Sequence, residues 1–277
     1  LDVRSGASRT FKDEDFFQDN ALRAVEISLS GTLHVDAGHK LLVQNICNDV
    51  TGNVAVASGF TGASQKYGAA VTNAASSLTL VMQPSDTTNQ QALEFFGCVV
   101  TSFSITAEAG TDGGQYKWSA TLMTGKKPDL ASTASPTITA YANTTIPKLS
   151  GSSAHKVFNT DIIMSSFTTA IESPAVFTGV ASDGFEVVSR GSEIAVTANA
   201  QVKYDGNTKG FINSFDTQTA ALSGNMLVIV NDAHFGVNIQ NGVFTDVALS
   251  EGDLMMLDCS IKSVDDGTDA LVEFDTE

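Results

Sequence analysis

The densest run of possible ligands in the chain is DDGTD at 265–269, three carboxylates within five residues. Carboxylates packed that closely can hold a hard cation such as calcium, which takes about six to eight oxygens. The run lacks the spaced ligand ladder and the closing Glu of a calcium-binding loop. It also stands between SIKSV and ALVEF, which read as strands, and Asp-Gly between strands signals a tight turn. A hairpin is expected there, and no metal ligand is assigned. The histidines His34, His39, His155 and His234 are scattered, and the closest two share no third ligand. Cys47, Cys98 and Cys259 form no CxxC pair and lie in apolar stretches, so they read as small buried hydrophobes suited to a reducing cytoplasm. Phosphate-loop, dinucleotide-fold, zinc-protease and nucleophile-elbow motifs are all absent.

Glu26, Glu108, Asp246 and Asp258 fall singly on the polar positions of alternating segments. An acid/base pair needs two such groups converging in a cleft, and nothing in the spacing announces one. These acids are expected on a solvated sheet face, and no catalytic residue or cofactor is assigned. A carbohydrate-active enzyme would need stacking aromatics beside paired carboxylates, whereas this chain has one Trp and four Tyr.

The segments that must position these residues recur. GTLHVDAGHKLLVQNI at 31–46 lies over AQVKYDGNTKGFINSF at 200–215, placing Leu33 on Val202, Asp36 on Asp205, Leu42 on Phe211 and Ile46 on Phe215. In both, period-two alternation gives way after the Asp to three- and four-residue spacing, which predicts a strand, a tight turn and a short amphipathic helix. Three further pairs follow in the same order: SSLTLVMQ (76–83) with NMLVIVND (225–232), GCVVTSFSI (97–105) with GVFTDVAL (242–249), and YKWSATLM (116–123) with LMMLDCSI (254–261). An ordered series predicts a tandem duplication. The fold class expected is mainly β: two tandem β-sandwich or barrel modules, 1–150 and 151–277, each with one flanking α-helix. Leu42, Ile46, Phe211 and Phe215 are the expected core positions of the helices. The boundary lies within 126–185, where SSFTTAIESPAVF is either the closing strand of the first module or the entry strand of the second.

Segment 51–77 has no counterpart in the second module. A loop that long in a compact domain is functional or disordered, and it is expected here as an assembly arm, with Phe60, Lys66 and Tyr67 touching a neighbour.

The chain has 277 residues, 42% of them apolar, with no apolar run long enough to span a membrane. Its start is polar and charged, unlike a secretory signal, and without an initiator Met residues are expected to precede Leu1 or to have been removed. Net charge is −16: residues 1–150 hold 13 acids and 10 bases, residues 151–277 hold 18 acids and 5 bases. Such an acidic chain does not grip nucleic acid over its whole surface, because that binding runs on Lys and Arg neutralising phosphates.

The order VEISLSGTLHVD, GHKLLVQNIC, loop, SSLTLVMQ, GCVVTSFSITAEAG, KWSATLMTGKKP resembles the tail tube (major tail) proteins of long-tailed bacteriophages. The pattern covers 20–125 and 185–275, while 126–185 is the least matched stretch. The resemblance implies a structural virion protein, made in the host cytoplasm, that forms rings of six modules stacked into a conduit for the genome. Two modules per chain imply a self-assembled trimeric ring with pseudo-sixfold symmetry. It also implies tape-measure, tail-terminator and baseplate partners, and double-stranded DNA passing without specific binding. Acids on the wall would repel phosphates at close range, and Glu108, Asp246 and Asp258 are the candidates to face the lumen; outer-surface solvation is the other reading of the same three residues. The alternatives are another β-rich virion protein, such as a capsid decoration protein, or the tube protein of an injection system.

Overall fold

The computed structural model of the protein describes residues 2–5, 16–19, 25–34, 39–50, 63–68, 75–82, 92–126, 129–130, 146–149, 155–180, 186–191, 193–220, 225–231, 235–250, 252 and 254–276. In chain order its elements are β1 (Asp2–Ser5), β2 (Phe16–Asp19), β3 (Val25–Thr32), α1 (His39–Cys47), β4 (Ala63–Gly68), β5 (Leu78–Met82), β6 (Leu93–Glu108), β7 (Lys117–Thr124), β8 (Asp129–Leu130), β9 (Lys156–Val157), β10 (Thr160–Asp161), β11 (Met164–Glu172), β12 (Ala175–Val180), β13 (Glu186–Arg190), β14 (Ala195–Lys203), α2 (Gly210–Asp216), β15 (Leu227–Asn231), β16 (Phe235–Ile239), β17 (Gly242–Ser250), β18 (Met256–Ser263) and β19 (Ala270–Thr276).

The strands form two large sheets. The larger runs β17-β18-β14-β11-β6-β7-β3, with β5 and β8 paired to the near end of β6; the smaller runs β10-β9-β15-β16-β19-β4. Alternation explains the larger one. In β14, AVTANAQVK puts Val196, Ala198, Ala200 and Val202 on a buried face and Thr197, Asn199 and Lys203 in solvent. The buried face meets the smaller sheet through aromatic edges: Tyr116 lies 5.4 Å from Phe167 and 5.3 Å from Phe235 between ring centroids, and Phe103 lies 6.0 Å from Phe274. The fold is therefore mainly β, two sheets sharing one core, with two flanking helices.

Both helices sit on strands of the larger sheet, α1 on β6 and α2 on β17. Leu42, Ile46 and Phe211 are buried and Phe215 packs partly buried against the same core. Before α2, the Asp205 carboxylate accepts from the backbone N–H groups of Asn207 and Thr208, and the Thr208 hydroxyl donates to the Lys203 carbonyl. Asn and Asp side chains offer the backbone such an alternative, and that ends the strand and starts the turn. After the helices, Asn48 and Gln218 both adopt positive φ, 54° and 52°, the left-handed termination that frees the chain to leave the axis.

Two expectations change. DDGTD is not a hairpin: β18 pairs with β17 and β14, β19 with β16 and β4, so 265–269 carries the chain from one sheet to the other. Its carboxylates are spent locally, Asp265 accepting from Gly267 N–H and Asp266 from Thr268 and Asp269 N–H, and those bonds shape a crossing turn as readily as a hairpin. Segment 51–77 is not a continuous loop. Residues 63–68 form β4, which pairs with β19 some 200 residues later, because ASQKYG alternates and offers Tyr67 to the core. The segment at 164–172 forms β11, which pairs with β6 on one side and β14 on the other.

Candidate functional site: the polar face of the larger sheet

The face of the larger sheet turned away from the core is a wall of short polar side chains. Register places residues in rows across it. One row runs Glu108, Ser166, Gln201, Asp258, Ala248; the next runs Thr32, Lys117, Thr106, Thr168, Asn199, Ser260, Asp246; a third runs Ser30, Ser119, Ser104, Ala170, Thr197, Lys262. Glu108, Asp246 and Asp258 thus share one face, and all three are exposed. Glu26 and Glu172 lie on that face too and are exposed.

Neighbouring side chains are tied to one another along the rows. Gln201 Nε2 donates to Asp258 Oδ1 at 2.8 Å, and Gln201 Oε1 accepts from Ser165 Oγ at 2.6 Å. Ser260 Oγ donates to Asn199 Oδ1 at 2.9 Å, and Ser104 and Ser119 hydroxyls share a bond of 2.8 Å. Such bonds hold short side chains flat against the sheet. The cations of this face are Lys117, Lys203 and Lys262, and Lys117 is paired with Asp112. Five acids against three lysines leave the wall negative, and two open depressions lie on it, one beside Glu108 and Lys117 and one beside Asn199 and Asp258.

The other residues singled out by the sequence lie elsewhere. Lys66 and Tyr67 are in β4: Tyr67 is buried with its hydroxyl 3.1 Å from Ser173 Oγ, and Lys66 Nζ sits 2.8 Å from Glu273 Oε1. Phe60 lies outside the described residues. Cys47, Cys98 and Cys259 are free thiols, all buried; burial pushes Cys47 upward and Cys259 up to about 12, the latter helped by the nearby carboxylates of Asp258 and Asp246. Among the described residues no three of His, Cys, Asp and Glu are grouped to hold a metal ion, and no helix is long and apolar enough to cross a membrane.

Glu172 on this face, and Arg190 bonded to α1 and β6, are absent from the residues that the sequence singles out. Glu172 could have been found, since SSFTTAIE alternates as plainly as its neighbours. Arg190 could not. It ends β13, and its guanidinium donates to the Asn45 carbonyl, to Asn45 Oδ1 and to the Val100 carbonyl, contacts that no local pattern encodes.

No family model matches this chain, and no curated protein matches it.

Proposed function

We propose that the chain is a tail-tube protein with a duplicated module, each copy a β-sandwich with one helix, whose three-chain rings stack into a conduit for double-stranded DNA. The observation that carries this reading is the strand order β17-β18-β14-β11-β6-β7-β3. It divides into two triplets, β6-β7-β3 and β17-β18-β14. In each, the first, second and third strands hold the same chain positions relative to the helix, and the helix packs on the first strand. The triplets follow one another in the same sense. A contact that repeats head to tail generates a ring when its rotation closes, and two copies fused in one chain halve the number of separate contacts to be made.

The polar wall supports the second part of the reading. DNA carries about one charge per 1.7 Å of axis, and a conduit must surround it without gripping it. Short hydroxyls with an excess of carboxylates offer few cations to exchange for counterions, and the repulsion fades within about 8 Å at physiological salt. On this reading Glu108, Asp246 and Asp258 line the lumen, the protein acts without catalysis or cofactor in the virion tail, and tape-measure, terminator and baseplate proteins are its partners.

The test is the mass of the assembled particle. Native mass spectrometry and electron microscopy of the purified chain are expected to show rings of three chains, alone or stacked. A monomer that persists at high concentration, or six chains per ring, defeats the proposal.

A further inference from the structure

The smaller sheet carries a row of reactive side chains that the polar wall does not use. Register sets Asn238 of β16 opposite Glu273 of β19, and Glu273 opposite Lys66 of β4. The three therefore stand side by side on one face, away from the face on which Phe274 meets Phe103. An amine, a carboxylate and a carboxamide in a row are ordinary on a wet surface. Here they are largely out of water: Asn238 is 3% exposed, Glu273 2% and the Lys66 side chain 15%.

The two oxygens of the Glu273 carboxylate hold different nitrogens. Oε1 lies 2.8 Å from Lys66 Nζ, and Oε2 accepts from Asn238 Nδ2 at 3.3 Å. Gln240 Nε2 also donates to Oε2, at 3.4 Å, from a half-buried position beyond the paired part of β16. The Asn238 side-chain oxygen is buried and, among the described residues, accepts no hydrogen bond, whereas buried polar atoms are nearly always paired. A proton delivered to that oxygen would activate the carboxamide carbon for attack, and the same carboxylate that takes a proton from the amine can deliver it.

We propose that Lys66 and Asn238 join in an isopeptide bond, with Glu273 as the proton carrier. Oε1 first takes a proton from Nζ, which replaces two buried charges by a neutral amine and a neutral acid. The freed electron pair on Nζ forms a bond to Asn238 Cγ while Glu273 gives its proton to Oδ1. Collapse of the tetrahedral carbon restores the C=O bond and expels Nδ2 with the electron pair of the Cγ–Nδ2 bond. Nζ loses a second proton in this step, and both of its lost protons, relayed by Glu273, leave with Nδ2 as ammonium. Glu273 is a carboxylate again, nothing is oxidised or reduced, and the reaction runs once per chain. Until the bond forms, the Lys66–Glu273 ion pair holds the row. Once formed, the link ties β4 to β16 across β19 and keeps a loop of roughly 170 residues closed even in the unfolded chain.

Mass spectrometry of the full chain, held folded at neutral pH and then denatured, tests the bond. Wild type is expected to be lighter than its sequence by one molecule of ammonia. Its tryptic digest should contain a branched peptide joining the Lys66 and Asn238 segments, with no cleavage after Lys66. Asn238→Ala, Glu273→Gln and Lys66→Arg, the last of which keeps a cation on Glu273, are expected at full mass without that peptide. Wild type at full mass overturns the proposal, and so does loss of ammonia without the branched peptide, as cyclisation at Asn241-Gly242 would give. A branch at Gln240 overturns Asn238 as the acceptor, and a branch that persists in Glu273→Gln overturns Glu273 as the carrier. These readouts need no assembly, so their failure leaves the ring reading standing.

Discussion

Arg190 reaches across 145 residues of sequence to hold Asn45: its guanidinium donates to that residue's backbone carbonyl and to its side-chain oxygen, which also accepts from the Val100 N–H at 2.8 Å. Burial lowers the Arg190 pKa from its ordinary value, which marks a cation held out of water by its partners. A guanidinium holds five donors in a rigid planar fork, whereas an ammonium offers three on a compact head at the end of a flexible stem. Arg190→Lys is therefore expected to lower stability by about 1–3 kcal/mol and Arg190→Ala by more, since the buried acceptors then lose their charged donor. Chemical denaturation of the unassembled chain reads both, and equal stability of Arg190→Lys and wild type would show that the fork is dispensable.

Lys66 and Glu273 form a second tie between distant parts of the chain. Glu273 also accepts from Asn238 at 3.3 Å and from Gln240 at 3.4 Å, so removing Lys66 leaves a buried carboxylate with only neutral donors. Lys66→Met should destabilise by about 3–5 kcal/mol, and adding Glu273→Leu should restore most of it. If the double variant is no more stable than the single, the pair itself contributes the stability. For the same reason, deleting 51–77 is expected to unfold the edge of the smaller sheet instead of merely shortening a loop.

Leu42 and Phe211 test the correspondence of the two helices. Both are buried, Phe211 against Phe244 of β17 at 5.4 Å between ring centroids. Leu42→Ala is expected to cost about 2–5 kcal/mol and Phe211→Ala about 3–5 kcal/mol, measured as shifts in denaturation midpoint. A near-neutral result at both would remove the helices from the core.

His39, at the start of α1, is buried, and desolvation with the nearby positive charges of Lys40 and His34 lowers its pKa from 6.5 to about 4. The unfolded chain binds this proton below pH 6.5, while the folded chain resists until about pH 4. Stability is therefore expected to fall as pH drops through that window, by on the order of 3 kcal/mol from this residue. His39→Gln should flatten that part of the pH profile, and an unchanged slope would assign it to other groups.

The wall is tested by charge reversal. Glu108→Lys, Asp246→Lys and Asp258→Lys together are expected to leave folding nearly intact, because exposed substitutions shift stability little. Assembled variant particles should retain short DNA duplexes with steep salt dependence, and wild-type particles should not. Equal weak retention by both would move the three acids to the outside of the particle.

The parts of this fold legible in the sequence were those in which neighbours along the chain decide the outcome. Alternation in AVTANAQVK and KWSATLM marks strands whichever strand lies beside them, and Asp205 marks its turn by local hydrogen bonds. Pairing is a different matter. Nothing in ASQKYG says that β4 will wait for β19, and DDGTD looks the same whether its flanking strands pair or part. Glycine shows the limit most clearly. The sequence comparison sets Gly97 over Gly242, yet Gly97 is required by its φ of 65°, inside β6 where the strand passes from β5 to β7, while at Gly242 a Cβ would stand 2.7 Å from Met226 Cγ. For the candidate face, alternation found the acids, and only the register showed that Glu108, Asp246 and Asp258 share a side.

The position of β11 also sets a timetable for synthesis. The β3-β7-β6 triplet is complete in sequence by Thr124, but β6 gains its other neighbour only when β11 has been made, almost 50 residues later. At about 5–20 residues per second, that edge of β6 stays uncovered for roughly 2–10 s on the ribosome. β4 waits longer, since β19 is made some 200 residues after it, a delay of roughly 10–40 s at the same rate. Chains crowded on one message would meet during that interval with like edges open, so slowing initiation or lowering temperature during expression should raise the soluble yield.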